Sequence, residues 1–341
     1  MLIVRVRGRL LVYSRAEEAT PLFPESRMSV PLVDLSRCED EVAKAIRAAC
    51  VRHGFFYISK HGVQEETIKA MFASSRAFFA LPVEVKSTAK QNEHNRGWTP
   101  MYEETLDPAK QRSGDTKEGY YVGRDVALNH PDPRERGPLR APNLFPAEDI
   151  LPHFRSSMEL YHAEMTQLAR RLMRPFALGL GLPGDFFAEH FERPTALLRP
   201  LHYAASKSQP EQGLFAAGAH SDYGVLTILA TDETPGLEIQ LEDGSFAPVP
   251  PMDGTFIVNV GDLCEIWTNG LFKSTVHRVV TSGESERYSA AFFWEPNFEC
   301  LVSPLSQCVT EDRPRRYEPV VYGDYILSKY AATHAGYSST A

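Results

Sequence analysis

The sequence predicts an α+β protein: a double-stranded β-helix, or jelly roll, with flanking helices. Three observations carry this. From Leu197 onward, short apolar runs alternate with period two and are separated by turn residues, as in a double-sheet β architecture. Before them lie helical stripes with apolar residues three and four apart. At 341 residues with 43% hydrophobic content, the chain can bury a sizeable core.

In chain order, Met1 to Ala16 carries Arg5, Arg7, Arg9 and Arg15 and no acid before Glu17. Such a start can be a mitochondrial targeting segment. Its few serines, and Pro21, Pro24 and Met28 beyond it, favour an upstream start or an inert arm over residues 1–29. Val30 to Leu35 reads as a strand. Ser36-Arg37-Cys38-Glu39 has capping-box spacing before a helix with Val42, Ile46, Ala49 and Cys50 on one face. Gly54 ends that helix, and Phe55 to Ile58 is a second strand. Gln64 to Phe79 is helical and stops at Leu81-Pro82. From Gln91 to Pro146 periodicity fades into Gly, Pro and charge, with Asn95-Arg96-Gly97-Trp98 and Lys117-Glu118-Gly119-Tyr120-Tyr121 embedded. Its aromatics favour an ordered lid loop over a site. A long helix covers about Pro152 to Leu180. In the β half, Leu237 to Leu241 alternates, Asp243-Gly244 is a hairpin signal, and Thr255 to Val260 is apolar enough for burial on both faces. Tyr322 to Ala332 closes the chain as a helix. The expected division is an arm (1–29), an αβ region with the lid (30–150), a helix plus jelly-roll core (151–332) and a tail (333–341).

Composition narrows the function. The 36 basic and 44 acidic residues leave a net charge of −8 without a basic block, against nucleic-acid binding. Five cysteines form no C-x-x-C pair and leave an odd one, which suits a reduced, cytoplasmic protein. No apolar run approaches the ~18 residues of a membrane span. A monomer or weak homo-oligomer acting on a small molecule is expected.

The chemistry gathers at Ala219-His220-Ser221-Asp222-Tyr223-Gly224. In an extended chain His220 and Asp222 point to one face. His277, in Thr275-Val276-His277-Arg278, supplies a second imidazole from another strand. Two histidines and a carboxylate cover one face of a metal ion and leave the other open, as in non-heme Fe(II) oxygenases. Zinc is the competing metal for such a set. Arg287 and Ser289 alternate onto one face and would grip a carboxylate through charge-assisted hydrogen bonds. The apolar run after Arg287 takes it into the interior, where it needs a partner that no fixed carboxylate in the sequence obviously supplies.

His-x-Asp, then His, then Arg-x-Ser resembles the signature of the 2-oxoglutarate- and Fe(II)-dependent oxygenases, in the branch similar to isopenicillin N synthase. The similarity runs from about Val30 to Ala332. It implies Fe(II) held by His220, Asp222 and His277, and 2-oxoglutarate held by Arg287 and Ser289. O2 would be the second co-substrate, and succinate and CO2 the co-products of hydroxylation. The charges of such an assembly sum to zero, as a buried site requires. Tyr203 occupies the position that donates a further hydroxyl to 2-oxoglutarate in the family; otherwise it is a half-buried strand tyrosine. His202, beside it, points the other way and reads as packing. For substrate, Asn95, Arg199, Tyr223 and Phe293 converge on the presumed mouth: two aromatics to sandwich a flat ring, an amide and a guanidinium at its edge. These resemble the pyrimidine-hydroxylating branch, such as thymine 7-hydroxylase, from which Trp98 and the Lys117 segment depart. The alternatives are that Tyr223 and Phe293 are core, that the enzyme is an oxidase without 2-oxoglutarate, or that it is a non-catalytic metal-binding jelly roll.

Overall fold

The computed structural model describes residues 30–333 and, at the backbone level, the strands β1 (Leu2–Val6) and β2 (Arg9–Tyr13). Those two strands pair with each other as a separate two-stranded sheet. The remainder of the arm and the tail from residue 334 lie outside the described residues.

β3 (Leu32–Asp34) leads into α1 (Glu39–Arg52), β4 (Phe55–Ser59), α2 (Glu65–Phe79) and α3 (Val83–Lys86). The expected capping box does not form: the N-cap is Cys38, without a side-chain cap, and Ser36 instead bonds Asp34. Gly54 sits at φ +65, and a Cβ there would come within 1.9 Å of the Lys273 carbonyl oxygen, so only glycine fits this close approach.

The stretch from Gln91 to Pro146 is more regular than its periodicity suggests. It contributes β5 (Gly97–Thr99) and β6 (Lys117–Tyr121), both wholly buried. Lys117 and Glu118 are buried there in ion pairs, which hydropathy cannot anticipate. α4 (Phe154–Gly179) packs on α1 and α2, burying Phe154, Met158, Tyr161, Met165, Leu168, Leu172 and Phe176 at three- and four-residue spacing.

The β half follows as β7 (Pro194–Tyr203), β8 (Ala217–His220), β9 (Leu226–Thr231), β10 (Leu237–Gln240), β11 (Phe246–Pro248) and β12 (Thr255–Val260). After α5 (Asp262–Trp267) come β13 (His277–Val279), β14 (Arg287–Asn297), β15 (Leu301–Val302), β16 (Val320–Val321) and α6 (Tyr322–Thr333). Two sheets result, ordered β3-β4-β12-β9-β14-β7-β6-β5 and β11-β10-β13-β8. This is the expected α+β double-stranded β-helix. The larger sheet takes strands from both the N-terminal region and the core. One hydrophobic cluster lies between that sheet and the helices; a smaller one, with Phe55, Tyr57, Leu201, Leu237, Ile257 and Val279, fills the space between sheets. Among the described residues, no helix is long and apolar enough to cross a membrane.

Candidate active site

β8 and β13 are antiparallel neighbours, and His277 stands opposite His220 in their register. Asp222 lies in the connection between β8 and β9, so the projection expected of an extended His-x-Asp is reached at a strand end. The three side chains bring one ligand atom each within 4.8 Å of one another. Asp222 Oδ1 is 3.8 Å from His220 Nε2 and 3.7 Å from His277 Nε2. His220 Nδ1 lies 2.8 Å from the Gly218 carbonyl oxygen, and His277 Nδ1 3.1 Å from that of Thr275. A carbonyl can only accept, so each Nδ1 keeps the proton and each Nε2 presents a lone pair to the shared point.

Asp222 is oriented as firmly. Its Oδ2 accepts from Asn259 Nδ2 at 2.6 Å and from the Thr227 hydroxyl, leaving Oδ1 toward the imidazoles. Thr227 and Asn259 are register partners on β9 and β12. Neither belongs to a motif legible in the sequence, yet Asn259 carries a signal as the one amide in an apolar strand. Burial, and then His277 beside it, pull His220 down to about 4, so it is neutral and ready to ligate. Burial would raise the Asp222 carboxyl, but the two imidazoles, Asn259 and Thr227 hold it below its ordinary range.

Along β14 the alternate residues Arg287, Ser289, Ala291, Phe293 and Glu295 all line one cavity, which also contains His220, Asp222 and His277. Arg287 is 1% exposed. Its Nη1 donates to Ser289 Oγ at 3.3 Å, its Nε has no partner, and no carboxylate among the described residues pairs with it. Tyr203 is its register partner on β7, the ring centroid 4.9 Å from the guanidinium carbon. A fully buried guanidinium facing a cavity has the chemistry to receive an anion. His202 does more than pack: its Nδ1 meets Glu118 at 2.8 Å in a buried cluster with Lys86 and Trp98.

The four substrate candidates separate. Tyr223 and Phe293 line the cavity and are half-buried. Arg199 lines it too, but is bound bidentately to Glu104 at 3.1 and 3.1 Å and lies 4.4 Å over the Tyr121 ring. Asn95 does not line it. That side chain is fully buried, accepts from Gln91 Nε2 at 2.7 Å, and sits beside the cavity-lining Tyr330.

Glu104 also pairs with Lys117 at 2.7 Å, and Lys117 with Asp115. Burial works against the Lys117 ammonium, but Asp115 and Glu104 outweigh it and hold the group above its ordinary range. Asp115 Oδ1 accepts the Gly218 amide N–H at 2.9 Å, and the carbonyl of Gly218 orients His220. The lid is thereby tied to a candidate metal ligand through one residue's backbone.

Residues 30–148 match the family described as non-haem dioxygenase in morphine synthesis N-terminal, and 196–296 match the 2OG-Fe(II) oxygenase superfamily. The chain is 34% identical to azadirone synthase LFS of Melia azedarach over 306 residues, 87% of this chain and 91% of that protein. It is 32% identical to the 2-oxoglutarate-dependent dioxygenase caaD of Aspergillus niger, over 82% of this chain and 88% of that one. Among solved structures, the thymine 7-hydroxylase of Neurospora crassa in complex with alpha-KG and thymine superposes with a TM-score of 0.79 at 32% identity, covering 91% and 98% of the two chains. The dioxygenase for auxin oxidation of rice reaches 0.69 at 30%, covering 90% and 97%.

Proposed function

The chain belongs to the 2OG-Fe(II) oxygenase superfamily, and on that premise we propose that His220, Asp222 and His277 hold the iron. We further assign Arg287, Ser289 and Tyr203 to 2-oxoglutarate, and Tyr223 and Phe293 to a planar, neutral heterocyclic substrate. The chain is an Fe(II)- and 2-oxoglutarate-dependent dioxygenase that hydroxylates a small molecule and releases succinate and CO2. Iron and 2-oxoglutarate, when bound, supply the activation of O2 that this hydroxylation requires.

The fit of this chain to those groups rests on one observation above the others: Arg287 is a buried cation that lacks an anion, in the wall of the cavity that holds the His-Asp-His cluster. A dicarboxylate would supply that anion. Arg287 binds and orients it, Ser289 adds a hydroxyl, and Tyr203 covers the guanidinium face. The apolar walls from Leu201, Leu229, Leu237 and Val279 exclude water around it.

The substrate class is supported by Tyr223 and Phe293 as cavity aromatics and by the likeness to thymine 7-hydroxylase, whose structure contains thymine. Arg199 enters this reading as a wall residue neutralised by Glu104, so a neutral ring suits it better than an anion. Asn95 is not in the cavity wall and enters this reading through its hydrogen bond to the lining residue Tyr330. The five cysteines are free, in keeping with a reducing, cytoplasmic setting. The test is to add thymine, uracil and related heterocycles to the complex with Fe(II) and 2-oxoglutarate and follow its visible charge-transfer band and succinate release. Perturbation and stimulation by planar heterocycles are expected. A response to larger apolar compounds alone would reassign the substrate class.

A further inference from the structure

Glu295 closes the row that Arg287 begins on β14 and lines the same cavity. It is 5% exposed. Its carboxyl accepts one hydrogen bond, from the Val225 amide, and Oε2 has no partner. Gly224 lies flat against it: a Cβ at that position would come within 1.9 Å of both carboxyl oxygens. The charged groups facing it are two acids, Asp222 and Asp262, and around it stand the phenols of Tyr322, Tyr325 and Tyr330. No cation pairs with it among the described residues. A buried carboxyl with one oxygen left unpartnered costs stability, which points to a bound group that completes it.

We propose that Glu295 is a specificity-determining residue that pairs with a lactam edge, –NH–C(=O)–, of a neutral substrate. This deepens the heterocycle reading above and rests on it for the ring. Burial is the main cause that pushes the carboxyl well above its ordinary range. A neutral acid offers one O–H donor and one carbonyl acceptor side by side, the complement of a lactam's carbonyl and N–H. Arg199 and Lys117 do not compete for this role, since Glu104 and Asp115 already neutralise them. A cationic substrate group would also satisfy Glu295, but only as the carboxylate, in a wall already facing two acids.

Glu295→Gln and Glu295→Leu separate these cases. The amide of glutamine presents the same donor and acceptor as the neutral acid; leucine presents neither. With Fe(II) and 2-oxoglutarate bound and O2 excluded, the charge-transfer band is titrated with uracil, thymine and 1,3-dimethyluracil. Uracil should bind Glu295→Gln within about threefold of wild type and Glu295→Leu about tenfold or more weakly, the size of one lost buried hydrogen bond. Dimethyluracil, without an N–H, should bind weakly and equally to all three. Unchanged uracil binding to Glu295→Leu overturns the contact, and Glu295→Gln failing alongside Glu295→Leu overturns the neutral acid in favour of a carboxylate that only accepts. If neither pyrimidine binds wild type, the pyrimidine ring is wrong, and succinimide and 2-pyridone decide the lactam edge on their own. Silence from those as well overturns the proposal. Melting temperatures guard the fold: a large drop in ligand-free Glu295→Gln, which keeps shape and size, would make Glu295 a structural tie instead.

Discussion

The two ends of β14 hold opposite deficits. Arg287 is a buried cation without an anion; Glu295, eight residues on and on the same strand face, is a buried carboxyl without a cation. Both line the cavity of the His-Asp-His cluster, roughly 26 Å apart along the strand. The deficits differ in kind because the side chains do. A guanidinium cannot shed its charge in a protein, so its missing partner has to arrive as an anion. A carboxyl can take up a proton and become a neutral donor and acceptor, so its missing partner can be neutral as well. On the proposed assignments, one end would take a co-substrate of fixed charge and the other a substrate of fixed hydrogen-bond pattern.

The largest expected effect removes what both ends serve. His220→Ala, Asp222→Ala and His277→Ala should each abolish turnover and sharply weaken Fe(II) binding while the fold remains, because a facial set of three has no spare ligand. Calorimetric Fe(II) titration and succinate assays check this, and wild-type activity at limiting iron in any of the three would break the assignment. Next comes the cationic end. Arg287→Ala should raise the 2-oxoglutarate requirement about thirty- to several-thousandfold, for a lost buried charge contact of about 2–5 kcal/mol, with little change in iron affinity. Arg287→Lys should rescue only part, since an ammonium lacks the planar fork. An unaltered requirement in Arg287→Ala would favour an oxidase that does not use 2-oxoglutarate.

The two ends are not equally legible in the sequence. Arg287 and Ser289 stand out because Arg-x-Ser follows two histidines and an aspartate in a recognisable order. Glu295 obeys the same period-two rule through Ala291 and Phe293, yet an acid at the end of an apolar strand reads as a surface residue until its surroundings are known. The strands β5 and β6 are hidden for a related reason: Lys117 and Glu118 are buried by partners distant in the chain. Lys117 meets Glu104, and Glu118 meets His202 and Lys86. Local pattern finds ligands that announce themselves by type and spacing. Pairing across 95 residues, as between Glu104 and Arg199, leaves no local trace.

Between the two ends lies the support of the metal carboxylate, where a smaller effect is expected. Asn259→Ala removes one of the two donors that hold Asp222 Oδ2 and frees the carboxylate to rotate. Loss of such an outer partner typically lowers metal affinity about 10–100-fold. The change should appear in Fe(II) titration, with the 2-oxoglutarate requirement at saturating iron close to wild type. If the 2-oxoglutarate requirement moves instead, Asn259 belongs to the Arg287 end of the comparison.

The smallest effect tests the difference in kind directly, through the pH dependence of stability in the metal-free protein. The folded chain holds the Glu295 proton more tightly than the unfolded chain, whose carboxyl titrates near 4.5. Its contribution to stability is therefore fully present below about pH 4.5 and is lost as pH rises toward the elevated folded value. Glu295→Gln has no such proton to lose. Its melting temperature should match wild type near pH 4.5 and pull ahead as pH rises to 7, by only a few degrees, since 1 kcal/mol moves a chain of this size by about 2 °C. Arg287→Met should show a constant offset from wild type over the same range, because the guanidinium stays charged throughout. A slope at Glu295 and none at Arg287 would separate the end that can neutralise itself from the end that cannot. A flat difference at Glu295 would mean that its carboxyl is ionised at neutral pH, and the substrate edge facing it would then have to present donors only.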